Sequence, residues 1–503
     1  MENRVTKIAK NTVFLYVRTI VMMLIAIYTS RILLEKLGIE DFGIYNLVGG
    51  VVGLFASLRN IFAQSVQRFL NYERGKGDEE KVRNIFSISI IVHVVLATAF
   101  TLIVLIFGLW YIPRYLVFPD GMLPTAMFVF YCSLITSFIL ILTVPYDSAI
   151  IANEKFDFYA IVSILDALAR LGIIYLIASF GPNKLKSYSV LILVVIALFR
   201  LIHIIYTFRF KECKLKRVWD KEIFMSLVSF SGWNFLGNTA YSMTNEGVNF
   251  VINSFGGVVA NAARGLAYQV KNAVTQLSVN VALAFRPYVT EASATKDKDS
   301  IFGYAIEVSR LMYVAVVLTA LPIICYTNEI LDVWLVDVPE YTCVFVQIIM
   351  IHMVIRAPQS SIDMLFASYD KMKKYQIIQS IFLFTSLPLS YILLKFGLPL
   401  YWAFISMCLS ELITLIAIVC CAHQVLGLNI SDYLRKFVIP TVISIVQLII
   451  IGGLFNHYFV PKSVLLLLVY TALLLTVELL DVYFLYLNKE EKALIHRFFI
   501  KKL

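Results

Sequence analysis

Asn234, Asn238, Ser242, Asn245, Asn249 and Asn253 step by four, four, three, four and four residues. At ~100° per residue this confines all of them to one helical arc roughly 100° wide. A second stripe, Gln269, Asn272, Gln276 and Asn280, follows at helical spacing with Lys271 beside it. Both stripes lie in residues 222 to 292, a stretch apolar enough to cross a membrane twice. An amide in hydrocarbon without a partner costs several kcal/mol, so the two faces must meet protein or a water-filled cavity. One reading is a hydrated cavity. The other is hydrogen bonding between helices, which is common in membrane bundles.

Charges sit in the same apolar background. Arg18, Arg31 and Arg59 fall in the first two hydrophobic stretches, which hold no acid to neutralise them. A guanidinium at the bilayer centre costs ~2.5 to 3.5 kcal/mol on insertion scales. Either these side chains snorkel to the interface or they form an anion site, for which the planar fork of guanidinium suits phosphate oxygens better than ammonium does. Arg264 and Lys271 lie further on, with Glu246 within reach of either. Asp166 and Arg170, four apart, share a helix face and are expected to pair. Asp166 and Glu246 are the candidates for carrying a coupling proton or sodium ion. Arg356, Glu411, Glu478 and Asp481 are further intramembrane charges to which the sequence assigns no role.

The elements that must hold these residues follow from composition. The chain has 503 residues, 60% hydrophobic and 15% charged, against ~25% charged in soluble domains. With a mean hydropathy of +0.82, it reads as an all-α integral membrane protein. Breakers and hydropathy give fourteen expected spans: 12–33, 42–66, 85–109, 123–150, 157–179, 188–208, 222–254, 262–286, 301–325, 341–367, 377–396, 400–424, 437–455 and 463–487. No alternation of period two marks a β-barrel. Of the 43 Lys and Arg, 27 fall in segments on the side of the amino terminus and only a handful in the opposite loops, which predicts both termini in the cytoplasm. The first stretch is too long and too charged for a cleavable signal.

Several function classes are disfavoured. The net charge of +10 is explained by topology, and no soluble basic module with aromatic platforms exists for nucleic acid. The seven cysteines show no CxxC, so neither a disulfide framework nor a metal site is expected. No P-loop, HExxH, GxSxG or dinucleotide turn is present, so no catalytic residues and no cofactors are expected. The connecting loops are short for a membrane glycosyltransferase or polymerase site.

An internal repeat adds organisation. At an offset of 218, Leu37-Gly38 falls on Phe255-Gly256 and Arg68 and Glu73 fall on Arg286 and Glu291. At 216, NEKFDFYAI (153–161) falls on YDKMKKYQI (369–377). This predicts two six-helix lobes in parallel repeat, 1–218 and 219–426, which usually clamp a midplane site. Residues 427–503 add two helices and a tail, 488–503, that reads as a short interfacial amphipathic helix.

SRILLEKLGIEDFGIYNLVGG (30–50) resembles the amino-terminal signature of polysaccharide-lipid flippases in the multidrug/oligosaccharidyl-lipid/polysaccharide superfamily. GGVVANAARGLAYQVKNAV (256–274) followed by AFRPYVTEASATKD (284–297) is similar to their eighth span. The resemblance implies a bacterial cytoplasmic-membrane flippase for an undecaprenyl-diphosphate-linked oligosaccharide, an O-antigen or capsule repeat unit. It also implies a monomer that works beside membrane lipid, a polysaccharide polymerase and other assembly proteins, with no nucleic acid. Arg18, Arg59 and Arg264 occupy spans whose arginines line the diphosphate cavity in related flippases; Arg31 and Lys271 join them as candidates. Asn234, Asn238, Ser242, Asn245, Asn249, Gln269, Asn272 and Gln276 are then the expected sugar-contacting set. A multidrug cation antiporter of the same superfamily is the alternative, and an integral-membrane glycan-assembly enzyme the alternative of another class.

Overall fold

The computed structural model describes residues 2–53, 56–177, 183–214, 216, 218–295, 298–369, 371–488 and 491–492, with side chains described except at 2–17, 50–61, 64, 75, 228–241, 277–301 and 368. Every regular element among them is helical. The predicted interfacial helix of the tail therefore lies outside the described residues beyond Lys492.

The first compact unit spans Met1–Gly265 and the second Leu266–Leu503. Unit one holds α1 (Glu2–Leu37), α2 (Ile39–Gly53), α3 (Ala56–Lys76), α4 (Glu79–Tyr115), α5 (Leu123–Leu142), α6 (Val144–Ala152), α7 (Phe156–Ile177) and α8 (Lys184–Thr207). Gly38, with φ of 84°, ends α1 in the left-handed conformation that glycine adopts without steric penalty. Its amide bonds Leu34 O at 2.8 Å, and Phe42 N takes its carbonyl at 3.1 Å, so α2 starts at once in a new direction. Asp78 caps α4 by accepting from Lys81 N at 2.9 Å. Within the unit α1 packs on α7, α5 on α4, α2 and α8, and α3 on α6.

The helix α9 (Lys221–Thr295) is broken by Gly257 at φ 62°, ψ −166°. Its two arms, 221–256 and 258–295, carry the two amide stripes. Ile223, Leu227, Phe250 and Val258 join the apolar core of unit one, so the first arm packs with the six-span segment that precedes it. The expected boundary at 218 concerns the sequence repeat, and the compact units divide the chain elsewhere.

The second unit continues with α10 (Lys298–Cys325), α11 (Thr327–Trp334), α12 (Thr342–Arg356), α13 (Gln359–Ser368), α14 (Met372–Phe384), α15 (Ser386–Lys395), α16 (Trp402–Leu426), α17 (Ile430–Tyr433), α18 (Ile439–Tyr458) and α19 (Val464–Asp481). α10 is its hub, packing on α12, α13, α18 and α19. Two π-helical turns, Leu434–Val438 and Val482–Tyr486, flank α18 and α19. Such turns leave carbonyls without their normal helical partners. Arg310 of α10 supplies donors to two of them, Lys436 O at 2.8 Å and Tyr486 O, and stacks 4.2 Å from the Tyr486 ring.

Among the described residues ten helices or helix pairs are long and apolar enough to cross a membrane, matching ten of the fourteen expected spans. The other four expected stretches fall in α1, in α2 with α3, and in the arms of α9. Exposed Leu102, Ile103, Ile106, Ile449, Leu465 and Leu468 form the kind of outer surface that lipid covers. The protein is a multi-pass membrane protein.

The sequence repeat has a local counterpart. Lys155 N bonds Ile150 O at 3.1 Å, and at the matched position Lys371 N bonds Phe366 O at 2.9 Å. Both are the six-to-one closure that ends a helix in a Schellman motif.

Candidate functional site

Past the Gly257 break, residues 258–265 turn back beside the end of the first arm, and asparagines stitch the two together. Asn261 Nδ2 donates to Asn249 O at 3.0 Å and to Asn249 Oδ1 at 2.7 Å. Asn261 Oδ1 accepts from Asn253 Nδ2 at 2.9 Å. Asn253 also exchanges both amide bonds with the backbone of Val117, just beyond α4, at 2.7 and 3.1 Å. Asn249, Asn253 and Asn261 have no exposed surface. The partners that buried amides require are thus supplied within the protein.

One turn deeper the ladder becomes charged. Asn249 Nδ2 lies 3.4 Å from Glu246 Oε2, which lies 3.6 Å from Arg264 Nη2. The same Nη2 donates to Asn245 O at 2.7 Å. Glu246 thus pairs with Arg264, one of the two partners open to it. Arg264 is buried, and its contacts here bind one arm to the other.

The two stretches that carry the family resemblance also meet. A Cβ on Gly43 of α2 would overlap the Val258 carbonyl, and one on Gly265 would stand 2.7 Å from Asn46 Cγ. Asn46 is held by its Nδ2 bond to Phe42 O at 2.8 Å. The glycines in FGIYN and ARGL are therefore explained by close helix approach.

The arginine set separates. Arg18 lies half-buried in α1 with its guanidinium 4.8 Å from the centre of the Tyr159 ring, and its Nε is buried without a hydrogen-bond partner. Arg31 is half-buried at the far end of α1. The side chain of Arg59 lies outside the described residues, as do those of Asn234 and Asn238. Among the described residues Arg18 and Arg264 contact different partners. Asp166 takes Arg170 in a fork at 3.0 and 2.6 Å, as the spacing predicts.

Two buried charge clusters have no counterpart in the sequence reading. In unit one Asp147 of α6 accepts Arg200 Nη1 at 3.0 and 2.7 Å and stands 2.6 Å from His203 Nδ1; the His203 ring lies 6.2 Å from that of Tyr159. The i, i+3 spacing of Arg200 and His203 was the available signal. In unit two Glu411 of α16 meets His352 Nε2 at 3.1 Å and Arg356 Nη1 at 3.3 Å. This gives Arg356 and Glu411, unassigned by sequence, a common place. Lys271, buried beside them, lies 4.6 Å from the Tyr268 ring.

The remaining stripe residues differ in surroundings. Asn245 is buried and Ser242 half-buried, whereas on the second arm Gln269 is half-buried and Asn272 and Gln276 are exposed. A polar cleft of about 950 Å³ lies elsewhere, lined by Arg74 of α3, Arg83 of α4, and Asn153, Lys211, Lys214 and Lys216 of the connecting segments. Its Arg74 is paired with Glu212, and its Lys216 with Glu80 at 2.7 Å.

These arrangements can be set beside known proteins. Residues 8–293, more than half of the chain, match the family model described as polysaccharide biosynthesis protein. The chain belongs to the polysaccharide biosynthesis protein family. Its fold is similar to that of solved transporters of the multidrug/oligosaccharidyl-lipid/polysaccharide superfamily. The lipid II flippase MurJ in an inward closed conformation is similar with a TM-score of 0.70 at 13% identity, covering 94% of this chain and 99% of that one. An inward-facing multidrug resistance transporter of the MATE family gives 0.67 at 14%, covering 81% and 95%. A superfamily transporter from Pyrococcus furiosus, described by the reversed polarity of its binding pocket, gives 0.59 at 14%, covering 83% and 96%. No curated protein sequence matches the chain. At these identities the likeness is one of fold.

Proposed function

We propose that this membrane protein flips an undecaprenyl-diphosphate-linked oligosaccharide, an O-antigen or capsular repeat unit, from the cytoplasmic to the outer leaflet of the bacterial cytoplasmic membrane by alternating access. Arg18 is the observation that carries this reading. It stands roughly 10 Å inside the expected membrane at ~1.5 Å per residue, packed on Tyr159 and forming no ion pair among the described residues. A guanidinium so placed suits a diphosphate, which supplies charge and bidentate acceptors together. Family membership supports a polysaccharide-assembly cargo, and MurJ, described as a lipid II flippase, supports a lipid-linked one.

The sugar-contacting role fits the half-buried or exposed polar residues Ser242, Gln269, Asn272 and Gln276 better than Asn249, which is fully buried and bonded to Asn261. Arg59, Asn234 and Asn238 stay in the proposed set by their position in sequence; Arg264, Arg31 and Lys271 complete its cations. A cationic drug would instead call for unpaired acids in the two six-helix lobes, where Asp147, Asp166, Glu246 and Glu411 each already face an arginine; the unpartnered Glu478 lies in the carboxy-terminal helix α19.

The test is transport of undecaprenyl-diphosphate-linked oligosaccharide in proteoliposomes, with a cationic dye offered in parallel. Arg18→Ala is expected to lower oligosaccharide transport about ten-fold or more, the equivalent of ~1.4 kcal/mol or more of phosphate contact, with Arg18→Lys intermediate. Dye transport with no oligosaccharide transport by the wild type would sink the reading.

A further inference from the structure

Glu478 differs from four other acids of the described membrane helices. Asp147, Asp166, Glu246 and Glu411 each have a guanidinium within 4 Å. Glu478, on α19, has no exposed surface, and among the described residues neither of its carboxylate oxygens has a hydrogen-bond partner. Asp481, one turn along the same helix, is close enough for their charges to repel, and its Oδ2 is likewise buried without a partner.

Among the described residues no cation is paired with either carboxylate. α19 packs on α10 and α18. From α10 the titratable groups that face Glu478 are Tyr313 and Cys325. The Tyr313 hydroxyl itself donates to Ser444 of α18 at 3.2 Å. Arg310, the guanidinium of this packing, is engaged by Glu491 at 2.6 Å and by two carbonyls. An ionised Glu478 here would be an uncompensated charge in a low-dielectric interior, with the half-buried Asp481 adding a second negative charge beside it, a strongly unfavourable arrangement. A proton removes one charge and, where two carboxyls share a site, commonly serves both.

We propose that Glu478 and Asp481 form a binding site for one exchangeable proton within the two carboxy-terminal helices. The neutral acid is the form compatible with the packing of α10, α18 and α19, and release of the proton leaves a charge that this packing does not satisfy. The site is thus a proton-linked element of unit two, adjoining the π-helical turn Val482–Tyr486. It is independent of what the protein carries.

The experiment reads the proton directly. The purified full-length protein in lipid is treated with dicyclohexylcarbodiimide, which modifies protonated carboxyls in apolar surroundings, and Glu478 is followed by peptide mass spectrometry. Modification is expected at acidic pH and should fall at least about ten-fold as the pH is raised. Asp481→Asn should move the midpoint to lower pH, because the neighbouring negative charge is gone. Thermal unfolding supplies a second readout: wild type should lose stability as pH rises through the same range, whereas Glu478→Gln, which mimics the neutral acid, should lose less. Parallel unfolding profiles of wild type and Glu478→Gln would overturn the proposal, as would modification that does not vary with pH. Protection of Glu478 by sodium at constant pH would reassign the site to that ion and also overturn the proton assignment.

Discussion

Arg310 Nε donates to Glu491 Oε1 across 2.6 Å, with both side chains at or below 5% exposure. The pair joins α10 to the segment after the last span. Because the same guanidinium holds carbonyls of both π-helical turns, one side chain ties α18 and α19 to unit two.

Arg310→Ala is accordingly expected to destabilise the protein by about 3 to 5 kcal/mol, the usual cost of breaking a buried pair from one side. Arg310→Lys should recover little, since an ammonium cannot reach a carboxylate and two carbonyls in a plane. Hydrogen exchange would localise the effect: faster exchange beyond residue 434 with α4 and α5 unchanged is the expected pattern, and uniform loosening would refute it.

Structural and cargo-contacting amides should separate by mutation. Asn261→Leu removes a donor that two acceptors share and leaves Asn249 and Asn253 short of partners, at ~1 to 3 kcal/mol each. Its unfolding temperature and its transport should fall together. Gln276→Leu, at an exposed position, is expected to leave unfolding within about 0.5 kcal/mol of wild type while reducing oligosaccharide transport. Equal thermal losses in the two variants would refute the distinction.

Gly43→Ala and Gly49→Ala form a matched pair on α2. The first forces its new methyl into the Val258 carbonyl; the second meets nothing within 4 Å. Overpacking of this kind costs about 1 to 3 kcal/mol, whereas alanine in an open helical position gains up to about 1 kcal/mol over glycine. Opposite shifts in unfolding temperature are the expected result.

The loop thiol of Cys213 should be inert. It is buried at 3% exposure, and burial, with the Glu212 charge second, pushes its ionisation above the usual thiol range while Arg74 opposes this. The folded protein then holds the thiol protonated, and its alkylation should stay slow and flat between about pH 7 and about pH 9. Rapid labelling in that window, before unfolding, would show the loop to be open.

Much of this could be read from residue order alone. Asp166 with Arg170 announced their own pairing, because helical spacing suffices to place both groups. The hairpin ladder could not be read so fully. The stripe ending at Asn253 showed that amides share a face, but their partner Asn261 lies across the Gly257 break, where period counting stops. The clusters Asp147–Arg200–His203 and His352–Arg356–Glu411 join helices distant in sequence, so spacing within one helix carries at most half of each. Glu491 was hidden for another reason, since its role depends on π-helical turns that leave no compositional mark.

The asparagine ladder also bears on how the chain enters the membrane during synthesis. Asn249 and Asn261 are 12 residues apart and bond directly, so the arms of α9 can leave the insertion machinery as a pair with these amides already matched. A single span bearing them would have to partition with unpaired donors, each costing several kcal/mol. The seventh and eighth spans are therefore expected to be inserted together, and a chain truncated after residue 256 should integrate far less efficiently than one truncated after residue 295.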